Sequence, residues 1–532
     1  MLGHIIFSAG CLLASAAALM DVGTSHVCAT IGSTPKCWGD NKWGQLGRGD
    51  NTTAVGDEPG ETGGSLVGVE VGGAVAEMSL GESHTCMLLE GSGGLVCFGR
   101  NDKGQLGLGD TVDRGSAPGE VGETVDFGVG RSAVAVSSGC EHTCALLDDG
   151  SVKCFGYNNY GQLGQGSTDN IGDDAGEMGD ALMAVPLPGT VTAITAGCEC
   201  SCALMDDGAV MCWGRNTWGQ LGAGDRDDRL DGSGVPLVAV DLDGSVATGI
   251  AAGDGHVCAL LEGGAVKCWG LNNSGQLGQG EDIDRRGDTP ETLGAGLPPI
   301  RLGPGDVPAA IDCGSAHTCI LLADATVKCF GENSYGECGI GTNENIGQLP
   351  SDMGANLVTA GVSGVIQIAA GGSTTCALRR GDSVICWGLG NDGQLGLGTD
   401  EQIVDVANSE PVDLGNDTFA LSPAPAATLP SVGPSAVPTG APTSTLAPAG
   451  TSAAPSAGPT AGSRQVNGMS YAPTMAPLAP GETAPPTMLP PTPGGAVDIG
   501  VEGGNSAPAH FNGGLLATII LGATSFMSVL FL

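Results

Sequence analysis

The residues with the most chemistry in this 532-residue chain are its 20 cysteines and seven histidines. Fourteen cysteines fall into seven pairs: Cys28 with Cys37, Cys86 with Cys97, Cys144 with Cys154, Cys202 with Cys212, Cys258 with Cys268, Cys319 with Cys329 and Cys376 with Cys386. Five of the pairs are ten residues apart, and the first two are nine and eleven apart. In five of them a histidine stands two residues before the first cysteine: His26, His84, His142, His256 and His317. A His-x-Cys…Cys set offers zinc three ligands where a structural site takes four. Buried free thiols are a second reading, and disulfides in an oxidising compartment the third and favoured one. Histidines that recur at one repeat position are placed by the fold, each ring expected to bond neighbouring backbone. His4 and His510 lie near the two ends, so no histidine is left for a nucleophile–base triad, and no phosphate-binding loop occurs. The expectation is a non-enzymatic protein without cofactor or metal.

Charge narrows the partners. Lys+Arg is 19 against 58 Asp+Glu, a formal net charge of −39. Such a chain repels phosphate backbones, which argues against nucleic acid. The acidic stretches at residues 169–174 and 225–231 invite calcium, but neither has the ordered ligand spacing of an EF-hand, and they read as solvated loops. Three glycosylation sequons begin at Asn51, Asn272 and Asn416; Asn272 belongs to a repeated turn, so Asn51 and Asn416 are the expected acceptors.

The element that positions the cysteines is a hairpin with a glycine-rich turn after it. An aromatic follows the second cysteine of each pair, at Trp38, Phe98, Phe155, Trp213, Trp269, Phe330 and Trp387, a period of 56–61 residues. That period is an internal repeat able to hold four short strands, the size of a propeller blade. In the third repeat Asp148-Asp149-Gly150 suits a three-residue turn with glycine in the left-handed region. Leu147 then faces Ser151, Cys144 faces Cys154, and facing side chains share one side of the sheet at disulfide distance.

The turn sequence Trp38-Gly39-Asp40-Asn41-Lys42-Trp43-Gly44-Gln45-Leu46-Gly47 recurs with few departures, and over residues 20–420 the chain resembles the regulator of chromosome condensation repeat family. The resemblance implies an all-β fold, a seven-bladed β-propeller of four-stranded blades. Departures are Cys200 and Thr374 at the histidine position, Glu337-Cys338 for Gln-Leu, and Gly390 for the motif asparagine. The segment 417–421 resembles the start of a further first strand, expected to pair with the first blade and close the ring. Cys140 and Cys198 hold equivalent places and could bridge blades three and four, with Cys200 as a competing partner. Cys313 and Cys338 both fall in repeat six, with no pairing assigned.

The ends read differently. Residues 1–18 carry the short apolar run and small residues of a secretory signal. Residues 19–421 form the propeller. Residues 422–504, rich in Pro, Ser, Thr and Ala with few charges, read as a disordered, extended, O-glycosylated stalk. Residues 505–532 end in the apolar run 515–532, read as a lipid-anchor signal with Asn505 or Ser506 as attachment residue, or as a single membrane span. Together these predict a recognition propeller on the outer face of the plasma membrane, binding a protein or a surface glycan. The family resemblance alone would imply the alternative, guanyl-nucleotide exchange on a small GTPase.

Overall fold

The computed structural model describes residues 19–415 except 33, 51, 231 and 282. Within them seven antiparallel sheets follow one another along the chain. Their first three strands are Met20–Val22, His26–Ile31 and Thr34–Asp40 in blade one; Val75–Leu80, His84–Leu89 and Leu95–Gly99 in blade two; and Ala133–Ser138, His142–Leu147 and Val152–Gly156 in blade three. Blade four has Val191–Ala196, Cys200–Met205 and Val210–Gly214, and blade five Ala247–Ala252, His256–Leu261 and Val266–Leu271. Pro308–Cys313, His317–Leu322 and Thr326–Gly331 make blade six, and Val365–Gly371, Thr374–Arg379 and Ser383–Gly388 blade seven. Each first strand packs beside the first strand of the next blade, and that of blade seven beside that of blade one, so the blades form a closed ring around a channel.

The hairpin register is the expected one. Cys144 faces Cys154, Gly150 has φ 80°, and Leu147 N donates to Ser151 O at 2.8 Å. Cys28 and Cys37, nine residues apart, face each other across a tighter turn in which Ile31 faces Thr34. Cys86 and Cys97, eleven apart, face each other across a longer turn that carries Gly91 and Gly93 at positive φ. Fourth strands are less regular than the four-stranded expectation. Blades one, five and six have them, at Ala54–Val55, Arg285–Arg286 and Thr359–Ser363. In the other four blades the pairing shrinks to isolated bridges: Gly99–Arg114 and Val96–Thr124 in blade two, Gly156–Ile171 in blade three, Gly214–Arg229 and Met211–Ala239 in blade four, and Gly388–Ile403 in blade seven. Those segments are rich in Asp and Gly, which hold a pleated strand poorly.

The core lies between blades. The aromatic after each second cysteine is fully buried and packs on the last glycine of the preceding blade's turn. A Cβ on Gly47 would sit 2.8 Å from the Phe98 ring, and one on Gly339 2.8 Å from Trp387 Nε1, at φ 63° and 67°. Both the left-handed backbone and the ring contact demand glycine there.

Closure uses no exchanged strand among the described residues. The inner place of blade one is filled by Met20–Val22, and the segment 417–421 lies outside the described residues. The two ends of the ring are joined by Lys36 Nζ donating to Leu414 O at 2.8 Å, Gln367 Nε2 to Met20 O at 2.7 Å and Trp38 Nε1 to Gln394 O at 3.0 Å.

Candidate functional site

All seven predicted cysteine pairs are disulfide-bridged, with Cα atoms 4.1 Å apart in each. Cys28 is joined to Cys37 in blade one, Cys86 to Cys97 in blade two and Cys144 to Cys154 in blade three. Cys202 is joined to Cys212 in blade four, Cys258 to Cys268 in blade five, Cys319 to Cys329 in blade six and Cys376 to Cys386 in blade seven. These cysteines are therefore staples within hairpins and offer no thiolate to a metal or a substrate. Cys140–Cys198 is an eighth bridge and ties blade three to blade four. Cys200, Cys313 and Cys338 are buried free thiols.

The repeated histidines do not bond backbone as expected. Each reaches a hydroxyl of the next blade: His26 to Thr85 at 2.8 Å, and at 2.9 Å His84 to Thr143, His142 to Ser201, His256 to Thr318 and His317 to Thr375. Each hydroxyl donates its own proton to a turn carbonyl of the preceding blade, for example Thr85 to Gln45 O at 2.8 Å and Thr143 to Gln105 O at 3.0 Å. Nε2 must therefore carry the ring proton. Burial lowers the pKa of His26, His84 and His256 to about 3 and of His142 and His317 to about 4, so the rings stay neutral. These groups fasten blades and are not placed to move protons for a substrate.

The turn motif is spent on itself. Asn272 is buried, accepts from Leu277 N at 2.9 Å and donates to Ile283 O at 2.9 Å, which leaves its amide no room for a glycan. Asn51, Asn416, Asn505 and Ser506 lie outside the described residues. In the acidic insert, Asp225 accepts from Asp227 N and from Arg229, and Asp228 from Asn216 N.

Two features are left with chemistry to offer. One is the channel. Asp21, Glu77 and Asp312 line it from blades one, two and six. Burial pushes Asp21 and Glu77 up to about 8 and Asp312 to about 7, with Asp312 also raising Asp21. Asp21 accepts from Leu80 N at 2.8 Å and Asp312 from Ala370 N at 2.9 Å, each capping the inner strand of the next blade. Ser79, Ser137 and Thr195 do the same for Ser138, Ala196 and Ala252. The mouth of the channel is a cavity of about 130 Å³ whose rim includes Glu82, the Cys140–Cys198 bridge and Asp254.

The second feature is a belt around that mouth on blades one to four. Arg215 lies 4.7 Å from the Tyr160 ring and 4.9 Å from the Trp218 ring, and ion-pairs with Glu199. Arg100 lies 5.5 Å from the Trp43 ring and 2.8 Å from Glu141. Tyr157 packs edge-on against Tyr160 at 6.4 Å. Glu141 and Glu199 directly follow the two rim cysteines, and the Trp218 ring lies over Gly255 beside the rim residue Asp254. All belt residues are half-buried.

Sequence reasoning missed the belt, though a signal was present. Four of the six tryptophans are the core aromatics, and the other two are Trp43 and Trp218. The belt occupies two variable places of the turn motif, which hold Leu271 and Ser274 in blade five, Glu332 and Tyr335 in blade six, and Leu389 and Asp392 in blade seven.

Among known proteins, the RCC1-like domain model matches residues 131–440 and the regulator of chromosome condensation (RCC1) repeat model matches residues 92–146. The ultraviolet-B receptor UVR8 of Arabidopsis thaliana is 28% identical over 385 residues, 71% of this chain and 78% of that protein. The probable E3 ubiquitin-protein ligase HERC6 of Homo sapiens is 31% identical over 269 residues, 50% of this chain but 24% of that protein. Yeast RCC1 (Prp20), solved bound to Kap60, superposes with TM-score 0.57 at 18% identity, over 77% of this chain and 85% of that one. Human WBSCR16 gives TM-score 0.53 at 20% identity, over 70% and 92%. Repeat, register and ring thus agree with the family model: the chain belongs to the regulator of chromosome condensation (RCC1) repeat family.

Proposed function

We propose that this propeller is a non-enzymatic recognition module that binds a protein through the belt of blades one to four. The observation that carries this is the concentration of Trp43, Tyr157, Tyr160 and Trp218 with Arg100 and Arg215 on one rim of a chain otherwise poor in aromatics. Trp, Tyr and Arg are the residues that dominate protein interfaces when truncated. Here the arginines are held against rings and carboxylates, so little side-chain entropy is lost on docking. One solved relative, yeast Prp20, is described by its protein partners in two structures, Kap60 in one and Gsp1p and histones in the other. The five histidines that might have served as bases are committed to inter-blade bonds.

We place the module at the outer cell surface. Eight disulfides suit an oxidising compartment, and on this reading the apolar runs within 1–18 and 515–532 act as an entry signal and an anchor. The net charge of −39 and this compartment weigh against nucleotide exchange on a nuclear GTPase. Release from intact cells by a phosphatidylinositol-specific phospholipase tests the location.

Photo-cross-linking on living cells tests the binding face. Wild type should cross-link to protein partners through blades one to four. The double variant Trp43→Ala with Trp218→Ala should lose them at least tenfold with unchanged melting. Partners retained by the variant, cross-links confined to blades five to seven, or glycan capture without protein would each overturn the reading.

A further inference from the structure

A separate cluster lies between blades five and six. A ring nitrogen of His256, Cys258 Sγ and Cys313 Sγ lie within 4.8 Å of one another, all three residues buried. Cys258 is bridged to Cys268, whereas Cys313 is a free thiol. Thr318 Oγ1 stands 3.8 Å from Cys258 Sγ and 3.9 Å from Cys313 Sγ, so one hydroxyl touches both sulfurs. The fold itself brings the first hairpin sulfur to the next blade. Cys86 lies 3.8 Å from Thr143 Oγ1, and Cys144 lies 3.5 Å from Ser201 Oγ. Cys313 occupies an inner-strand place that holds Val22, Leu80, Ser138, Ala196, Ala252 and Ala370 in the other blades. Blade six alone puts a thiol there. The other free thiols, Cys200 and Cys338, belong to no such sulfur cluster among the described residues.

We propose that Cys313 and the Cys258–Cys268 bridge form an exchangeable pair, able to move one disulfide from inside blade five to the interface of blades five and six. The Cys313 thiolate attacks Cys258 Sγ. The Cys258–Cys313 bond forms as the Cys258–Cys268 bond breaks, and the electron pair leaves on Cys268. Cys268 then takes up a proton in place of the one Cys313 gave to solvent. One bridge and one thiol go in and come out, so no oxidant or reductant is consumed. Burial holds the Cys313 pKa far above its ordinary value, so the closed ring carries it as an unreactive thiol. Exchange therefore follows transient opening of this interface, and its product locks the same interface covalently, as Cys140–Cys198 locks blades three and four.

Disulfide mapping of the full chain tests this. The folded protein is held at about pH 9, where thiolates form, then unfolded in acid with an alkylating reagent and digested without reduction. The expected result is a Cys258–Cys313 peptide that grows with time, while the alkyl label moves from Cys313 to Cys268 and stays on Cys200 and Cys338. Cys313→Ser, which installs the residue blade three already has as Ser138, should keep Cys258–Cys268 at every time. A label that stays on Cys313 throughout, in buffer and in urea below the unfolding transition, would overturn the proposal. So would scrambling that draws in Cys200 and Cys338 equally.

Discussion

Five of the seven blade interfaces carry a histidine–hydroxyl latch, and two do not. At the interface of blades four and five, Cys200 faces a blade with Val257 where the hydroxyl should be; between blades seven and one, Thr374 faces Val27. The five latched interfaces offer Thr85, Thr143, Ser201, Thr318 and Thr375 to their histidines. Histidine is therefore present wherever its acceptor is, and absent wherever the acceptor is lost. A buried imidazole N–H without a partner would cost about 1–3 kcal/mol, so the two changes go together. The carbonyl served by the hydroxyl is not abandoned either. Where the hydroxyl is missing a tryptophan takes over, with Trp269 donating to Gln220 O and Trp38 to Gln394 O, both at 3.0 Å. Where phenylalanine stands in that place, at Phe98, Phe155 and Phe330, a hydroxyl is present.

Acid should break the distinction most. Each latch histidine binds a proton below about 3–4 when folded and below about 6.5 when unfolded. The unfolded state thus binds more protons, and the stability each latch gives is present above pH 6.5 and lost as pH falls towards 3–4. The limit is about 1.4 kcal/mol per pH unit per histidine, and denaturant midpoints between pH 7 and 4 will show it. The channel carboxyls act in the opposite sense. Their raised values favour the folded state at low pH, and that contribution is lost as pH rises from about 4 through about 7–8. Asp21→Asn should flatten the stability profile between about pH 4 and 8 and leave its slope above pH 8 unchanged.

Next in size, Thr143→Val strips the His84 ring and Gln105 O of their shared partner, with an expected loss of about 3 kcal/mol from two unmet polar groups. Trp269→Phe removes the tryptophan donor to Gln220 O, where no hydroxyl stands in, and should cost about 2 kcal/mol. Trp213→Phe should cost about half as much, because Ser201 still serves Gln162 O. Equal melting losses in the two tryptophan variants would remove the shared-carbonyl explanation. The smallest effect is the most specific. Cys200→His and Val257→Thr should each destabilise alone, yet together show a favourable coupling of about 1 kcal/mol in a double-mutant cycle. Strict additivity would mean that the interface of blades four and five cannot accept a latch.

The hairpin and its bridges were legible because they are local. Turn length, strand alternation and cysteine spacing all lie within about a dozen residues, and one repeat checks another. The spacing of Cys202 to Cys212 repeats in Cys319 to Cys329 and in Cys376 to Cys386, and each of these pairs is bridged. The latch was half legible. His26, His84, His142, His256 and His317 form a column when repeats are stacked, but their partners lie 58–62 residues on, in the next repeat. Only pairing each repeat with its successor exposes Val257 beside Cys200 and Val27 beside Thr374. The belt escaped for the opposite reason: Trp43, Arg100, Tyr160, Arg215 and Trp218 sit in variable places of the motif, where repetition carries no information. Channel residues Asp21, Glu77 and Asp312 looked like ordinary members of an acidic chain, because nothing local distinguishes a carboxylate facing a channel from one facing bulk water.

The bridge between blades three and four has one more consequence. Seven of the eight disulfides span only a hairpin, nine to eleven residues apart, but Cys140–Cys198 joins cysteines 58 residues apart. The exposed loop between Gly166 and Gly189 lies inside it. A protease that cuts there leaves both fragments joined as a single molecule, which comes apart only under reduction. A cut in any other insert leaves its fragments held by non-covalent packing, so the stretch of the rim that carries Tyr157 and Tyr160 is also the one that survives being nicked.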